Sequence, residues 1–276
     1  MTRRPTRGYG IVERTEATTI AARCAERIRM IGYAVLPSGL PSGDVADLSE
    51  RLDRVMARQV DEFGGPERIA AIGDALTARC PLLYDEAFLA LAAQGDVLSV
   101  ARALLGDFIV LMQQNGVINP PGRAHTQTSY HRDLPYQHFV SSRPLAMSAL
   151  FCIDPFTEET GATTVLPASH RMEAFPSDEG AADIEVPVVA EPGSFILFDA
   201  MLFHRAGANR SARPRRAVNH VYAVPIVAQQ ISLPDALGGR HADDAVLAPL
   251  LGYGAAPASS VLAWRERRLA RTSQTS

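Results

Sequence analysis

The chain has 276 residues, 47% of them hydrophobic, enough for a sizeable core and too apolar for wholesale disorder. Its 27 Lys and Arg against 30 Asp and Glu leave a net charge of −3, without the basic excess of a nucleic-acid surface. No apolar run approaches the roughly 20 residues of a membrane span, and the basic N-terminal stretch lacks the apolar segment of a secretory signal.

Residues 1–10 read as a loosely docked tail. The pattern then predicts a helix over 16–30 and a short strand at Gly32–Pro37. In "LPSGDVADLSERLDRVMARQV", Val45, Leu48, Leu52, Val55 and Met56 fall on one face of a helix that Ser42 can cap. Segments 66–79, 85–94 and 96–105 also read as helical, each short and rich in Ala and Leu. At Asp107 the character changes. "FIVLMQQNGVI" is a strand pattern that stops at Asn119-Pro120-Pro121-Gly122. Further strands are expected at 145–153, 162–166, 185–190, 194–199 and 217–226, with turns such as Glu191-Pro192-Gly193 between them. This spacing predicts an antiparallel sandwich or barrel in place of βαβ units. A last helix is expected in "PASSVLAWRERRLAR" from Pro257. The expected organisation is one domain over 1–276. It has a helical part at about 11–106, a β-core at about 107–228 and a C-terminal extension at 229–276. Cys24, Cys80 and Cys152 are far apart and odd in number, which points to a reduced, cytoplasmic protein without a disulfide framework.

The chemistry concentrates in "SYHRDLPYQHF", residues 129–139. His131 and Asp133 stand two apart, so on an extended strand both face the same side and can reach one metal ion. With seven His and 16 Asp in the chain, roughly 0.4 such pairs arise by chance, so the pair alone is a weak signal. The downstream stretch "EPGSFILFDAMLFHRAGANRSARPRRAVNHVY" strengthens it. His204 follows a strand, and Arg215 comes eleven residues later. Two His and one carboxylate with open positions suit Fe(II) and oxygenase chemistry, and a guanidinium grips the far carboxylate of a 2-oxo acid through two hydrogen bonds.

Five fragments in order carry a resemblance to the phytanoyl-CoA hydroxylase-like family of Fe(II)/2-oxoglutarate dioxygenases: "IGYAVLPSGLPSGDVADLSERLD", "SYHRDLPYQ", "FTEETGATTVLPASH", "PGSFILFDAMLFHRAGAN" and "RPRR". The C-terminal "LGYGAAPASSVLAWRERR" is similar to endings in that family. The resemblance implies a double-stranded β-helix (jelly-roll, cupin-like) core, mainly β with flanking helices. It implies His131, Asp133 and His204 as Fe(II) ligands, and Arg215 on the distal carboxylate of 2-oxoglutarate, with O2 as co-reactant. Many members carry Ser two residues after the distal His, where this chain has Ala206. Asn119 and Asn115, on one strand face with Gln113, are the expected replacements for that contact. Related halogenases lack the carboxylate, so Asp133 implies oxidation of a C–H bond over halogenation.

Tyr130, Tyr136, Gln137 and His138 are the expected substrate contacts, whereas Arg132 points away as a spectator. His220 and Cys152 read as core residues, and His170 as a loop support. The expected partner is a small-molecule metabolite, with neither nucleic acid nor membrane. The absence of a Lys/Arg-rich patch disfavours a polyanion the size of coenzyme A. Two other readings stay open: a non-catalytic β-sandwich binding protein, and a cupin-type metal-dependent hydrolase, in which Arg215 has no evident task.

Overall fold

The computed structural model describes residues 16–122, 126–134 and 139–273. Two antiparallel sheets form the framework. The larger runs in the order β1 (Tyr33–Pro37), β7 (Ser194–Asp199), β4 (Ala146–Cys152), β9 (Arg215–Ala223), β3 (Val110–Asn119) and β2 (Thr77–Arg79). The smaller holds β6 (Val186–Pro187), β5 (Thr163–Val165) and β8 (His204–Ala206). This double sheet is the expected β-core.

The two-residue alternation of strands sorts the larger sheet into two faces. Met147, Ala149, Phe151, Phe195, Leu197, Val218 and Tyr222 enter the core shared with the helices. Leu150, Cys152, Ile196, Phe198 and Ala217 face the other way and pack with Val165 and Leu202 between the sheets. The helical layer comprises α1 (Ile20–Ile31), α2 (Ser42–Glu62), α3 (Pro66–Ala71), α4 (Glu86–Ala92) and α5 (Gly95–Leu105). The expected apolar stripe of α2 is buried in full. Leu52 lies so close to β3 that a Cβ on Gly116 would stand 2.2 Å from its Cδ1. Only glycine lets this helix approach the sheet so nearly. The Gln114 side chain, on the helix side, accepts from Leu82 N and donates to Phe88 O, tying β3 to the helices.

Several boundaries differ from the sequence reading. The segment 66–79 is helical only to Ala71; Thr77–Arg79 is an edge strand on β3, because its backbone pairs with Asn115–Val117. The part before residue 107 therefore supplies both edge strands of the larger sheet. Ser42 is the first residue of α2, after Pro41, and makes no capping hydrogen bond. Thr19 caps α1, its hydroxyl accepting from Ala22 N at 3.0 Å. Only Val186–Pro187 of 185–190 is a strand, and the last helix, α9, starts at Val261 after the short α6 (Asp178–Ile184), α7 (Leu233–Leu237) and α8 (Leu247–Leu250). Among the described residues no single helix is long and apolar enough to cross a membrane.

Candidate metal centre

One cavity opens between the sheets, and the predicted motif lies in it. His131 is joined to His204 by a two-way backbone bridge: His131 N donates to His204 O at 2.9 Å, and His204 N to His131 O at 3.1 Å. Asp133 N donates to Ala200 O at 3.0 Å. Extended pairing with the segment around β8 thus turns His131 and Asp133 to the same side, as their spacing predicts. One ligand atom from each of His131, Asp133 and His204 lies within 4.8 Å of the others, so the three could hold one ion. The His204 Nε2 to Asp133 Oδ1 distance is 3.5 Å.

Each group is oriented from behind. His131 Nδ1 faces Ser129 O at 2.9 Å and His204 Nδ1 faces Leu202 O at 3.0 Å. A carbonyl can only accept, so each Nδ1 carries the proton and leaves Nε2 as a lone-pair donor. Asp133 Oδ2 accepts from the Ser148 hydroxyl and from Asn219 Nδ2 at 3.0 Å. Burial pushes the Asp133 carboxyl up, but the two imidazoles and the Ser148 hydroxyl outweigh it and hold it well below the usual range. Burial, with His204 next to it, pulls His131 down. Burial also acts to lower His204, yet Asp133 overcomes it and raises that imidazole. The combination of an ionised carboxylate with two imidazoles is a borderline set that favours divalent first-row metals.

Arg215 opens β9 and lines the same cavity, 3% exposed. Its Nε and Nη1 are buried without a hydrogen-bond partner, and its guanidinium lies over the Phe156 ring at 4.1 Å. Burial lowers its pKa to about 10, still far above neutrality. An unpaired buried cation is costly unless a ligand brings the counter-charge. Asn115 also lines the cavity, with a buried Oδ1 that lacks a partner.

Other expected contacts fall elsewhere. Asn119 lies outside the cavity wall, because its amide donates to Gly207 O at 3.0 Å. Tyr130 alternates away from the cavity: its hydroxyl bonds Glu185, its ring packs on Phe175, and Arg205 lies over it. Burial and that Glu185 contact push its pKa up to about 12. Tyr136, Gln137 and His138 lie outside the described residues. Arg132 points away as expected but is no idle spectator. It is 3% exposed, donates to the carbonyls of Met201, Ser169 and Met172, and stacks on Phe203. It fastens the metal-facing segment to the loop around 169–173.

Sequence reasoning missed Ser148, Asn219 and Thr163. Thr163 lines the cavity as the cross-strand partner of Ala206, so a hydroxyl stands beside the position that lacks one. The alternation of β9 and β4 signals the inward turn of Asn219 and Ser148; their meeting at Asp133 comes only from the fold. In the "TG" stretch, Gly161 has a φ of +77°, and a Cβ there would stand 2.4 Å from Gly207 O. Thr160 supports that turn by accepting from Thr157 N at 2.9 Å.

Known proteins share this fold. An uncharacterized protein of Mycobacterium tuberculosis is 33% identical over 230 residues, covering 82% of this chain and 83% of the relative. The structure of EctD from S. alaskensis with bound Fe matches with a TM-score of 0.62 at 24% identity, over 79% of this chain and 82% of that one. The epimerase SnoN, in complex with Fe3+, alpha ketoglutarate and nogalamycin RO, matches with a TM-score of 0.58 at 22% identity, over 74% and 84% of the two chains. The family profile of phytanoyl-CoA dioxygenase (PhyH) covers residues 28–217. With a His–Asp–His cluster that could hold a metal ion and most of its length matched by that profile, the chain belongs to the phytanoyl-CoA dioxygenase (PhyH) family and is an enzyme of the Fe/2-oxoglutarate dioxygenase class.

Proposed function

We propose that the protein is a non-haem Fe(II)/2-oxoglutarate-dependent dioxygenase that oxidises an unactivated C–H bond of a small-molecule metabolite in a biosynthetic tailoring step. Fe(II) with 2-oxoglutarate and O2 supplies the oxidising chemistry, with release of succinate and CO2. In this reading His131, Asp133 and His204 hold the ion through two Nε2 atoms and one carboxylate oxygen. Arg215 receives the distal carboxylate of the co-substrate in a dry, low-dielectric wall where a charge pair is strong. Asn115 and Thr163 offer further polar contacts. Leu150, Phe198 and Val117 on the same wall exclude water from the reacting atoms.

The observation that carries the reading is the orphan guanidinium of Arg215 in one cavity with a His–Asp–His cluster. A bare metal site gives no reason for that cation, and a dicarboxylate co-substrate does. The tailoring role draws on SnoN, which comes from nogalamycin biosynthesis. The three free cysteines suit a reducing, cytoplasmic setting.

Anaerobic addition of Fe(II) and 2-oxoglutarate tests the reading. A weak visible charge-transfer band is expected, followed by succinate release on admission of O2. Folded protein that shows neither sinks the proposal.

A further inference from the structure

The two oxygens of Asp133 have different surroundings. Oδ1 faces His204 Nε2. Oδ2 takes two donors from neighbouring strands: the Ser148 hydroxyl from β4 and Asn219 Nδ2 from β9. A carboxylate cannot return a proton to the amide, so the contact fixes which end of Asn219 is nitrogen. Its Oδ1 is then left buried without a partner. Leaving that acceptor unpaired has a cost, so the amide end is committed to the carboxylate. Asp133 lies two residues beyond the His131–His204 bridge, outside every named strand, and its N–H donates to Ala200 O. Its carboxylate is set by the groups around it: Ser148 and Asn219 on one oxygen and His204 beside the other.

We propose that Ser148 and Asn219 are positioning residues that hold Asp133 as a one-oxygen metal ligand. With the lone pairs of Oδ2 engaged by two donors, only Oδ1 is presented to the ion. The protein would then supply three donor atoms to the ion, one each from His131, Asp133 and His204. The inference rests on the metal assignment proposed above. Neither residue touches the metal or substrate in this role; both act through the carboxylate.

Titration of the full-length protein with Co(II), a redox-stable probe, separates the two ideas. Wild-type protein that fails to bind Co(II) overturns the metal assignment itself. If wild type binds, Ser148→Ala and Asn219→Ala are each expected to weaken binding roughly 10- to 100-fold, the usual effect of losing a group that orients a ligand. Asn219→Leu keeps the bulk and loses the donor, so it should weaken binding as much as Asn219→Ala. Ser148→Thr keeps the hydroxyl and should restore near-wild-type affinity. Val189→Ala, at an exposed position that does not line the cavity, should bind as wild type does. Metal-free melting curves check folding, and a variant that melts early is replaced by its partner at the other donor. The proposal falls if Asn219→Leu binds Co(II) within about twofold of wild type, or if Val189→Ala loses as much as Asn219→Ala.

Discussion

The two faces of the larger sheet are built from the same strands and obey opposite rules. On the helix side Met147, Ala149, Phe151, Phe195 and Leu197 are apolar and fully enclosed, and two of the polar groups there are paired: Gln114 at both ends, and Tyr222, whose hydroxyl donates to Ala92 O at 2.8 Å. On the cavity side β4, β9 and β3 present Ser148, Asn219, Arg215 and Asn115, and four of their polar atoms are buried without a partner. One side is closed within the chain; the other is completed by something brought to it. A buried polar group left unmatched costs about 1–3 kcal/mol, so the helix side must carry the stability that the cavity side forgoes.

Substitutions should therefore separate into two classes. The largest effect belongs to Asp133→Ala, which should abolish succinate formation while the metal-free melting temperature changes little. Normal turnover by that variant would show that the ligand set is misassigned. Next is Arg215→Met. Truncating one side of a buried charge pair costs about 2–5 kcal/mol, so the KM for 2-oxoglutarate should rise at least ~30-fold. The same variant should melt no lower than wild type without co-substrate, since it removes an uncompensated buried cation. The helix side should behave inversely. Leu52→Ala, at the contact with Gly116, should cost roughly 2–5 kcal/mol of unfolding free energy in a denaturant titration and leave Co(II) affinity unchanged. A loss of metal affinity there would blur the division.

A smaller effect tests the one exception on the helix side, His220. Its Nδ1 meets Ala149 O at 3.0 Å, its Nε2 is unpartnered, and burial pulls its pKa down to about 4 from an ordinary 6.5. The folded state resists a proton that the unfolded chain accepts. Its contribution is thus complete above pH 6.5 and lost as pH falls toward about 4. Asp199 acts in the opposite direction, because burial pushes its carboxyl up to about 6, so its contribution fades as pH rises through that value. The wild-type curve mixes the two. The difference between wild type and His220→Asn isolates the histidine, and should change by roughly 3 °C or more in melting temperature between pH 7 and pH 4.5. Smallest of all, Arg213→Ala, at an exposed position, should stay within ~0.5 kcal/mol of wild type.

Much of this division is legible in the linear chain. The inward turn of Gln113 and Asn115 against the outward turn of Gln114 follows from alternation alone. So does the pairing of His131 with Asp133. The same rule also turns Tyr130 outward, and the functional pull of its neighbours hides that simpler reading. Asn119 obeys alternation but is captured by Gly207 O, 88 residues away, which no local pattern reveals. Arg132 looks like a surface charge because its acceptors are carbonyls, which carry no sequence signature. Thr77–Arg79 is a strand because β3 offers it an edge; its own composition favours a helix.

The bridge between His131 and His204 has a consequence for metal choice. Two residues that exchange both backbone hydrogen bonds sit about 5.5 Å apart at Cα. The spacing of the two histidine backbones is therefore preset by peptide geometry, like a fixed jaw, whereas Asp133 lies outside that pair and its carboxylate is set by Ser148 and Asn219. Ions of different radius would be accommodated by the carboxylate and its two tethers, not by the histidines. Discrimination among metals in this protein is then a property of β4 and β9, which carry Ser148 and Asn219, more than of the motif that first draws the eye.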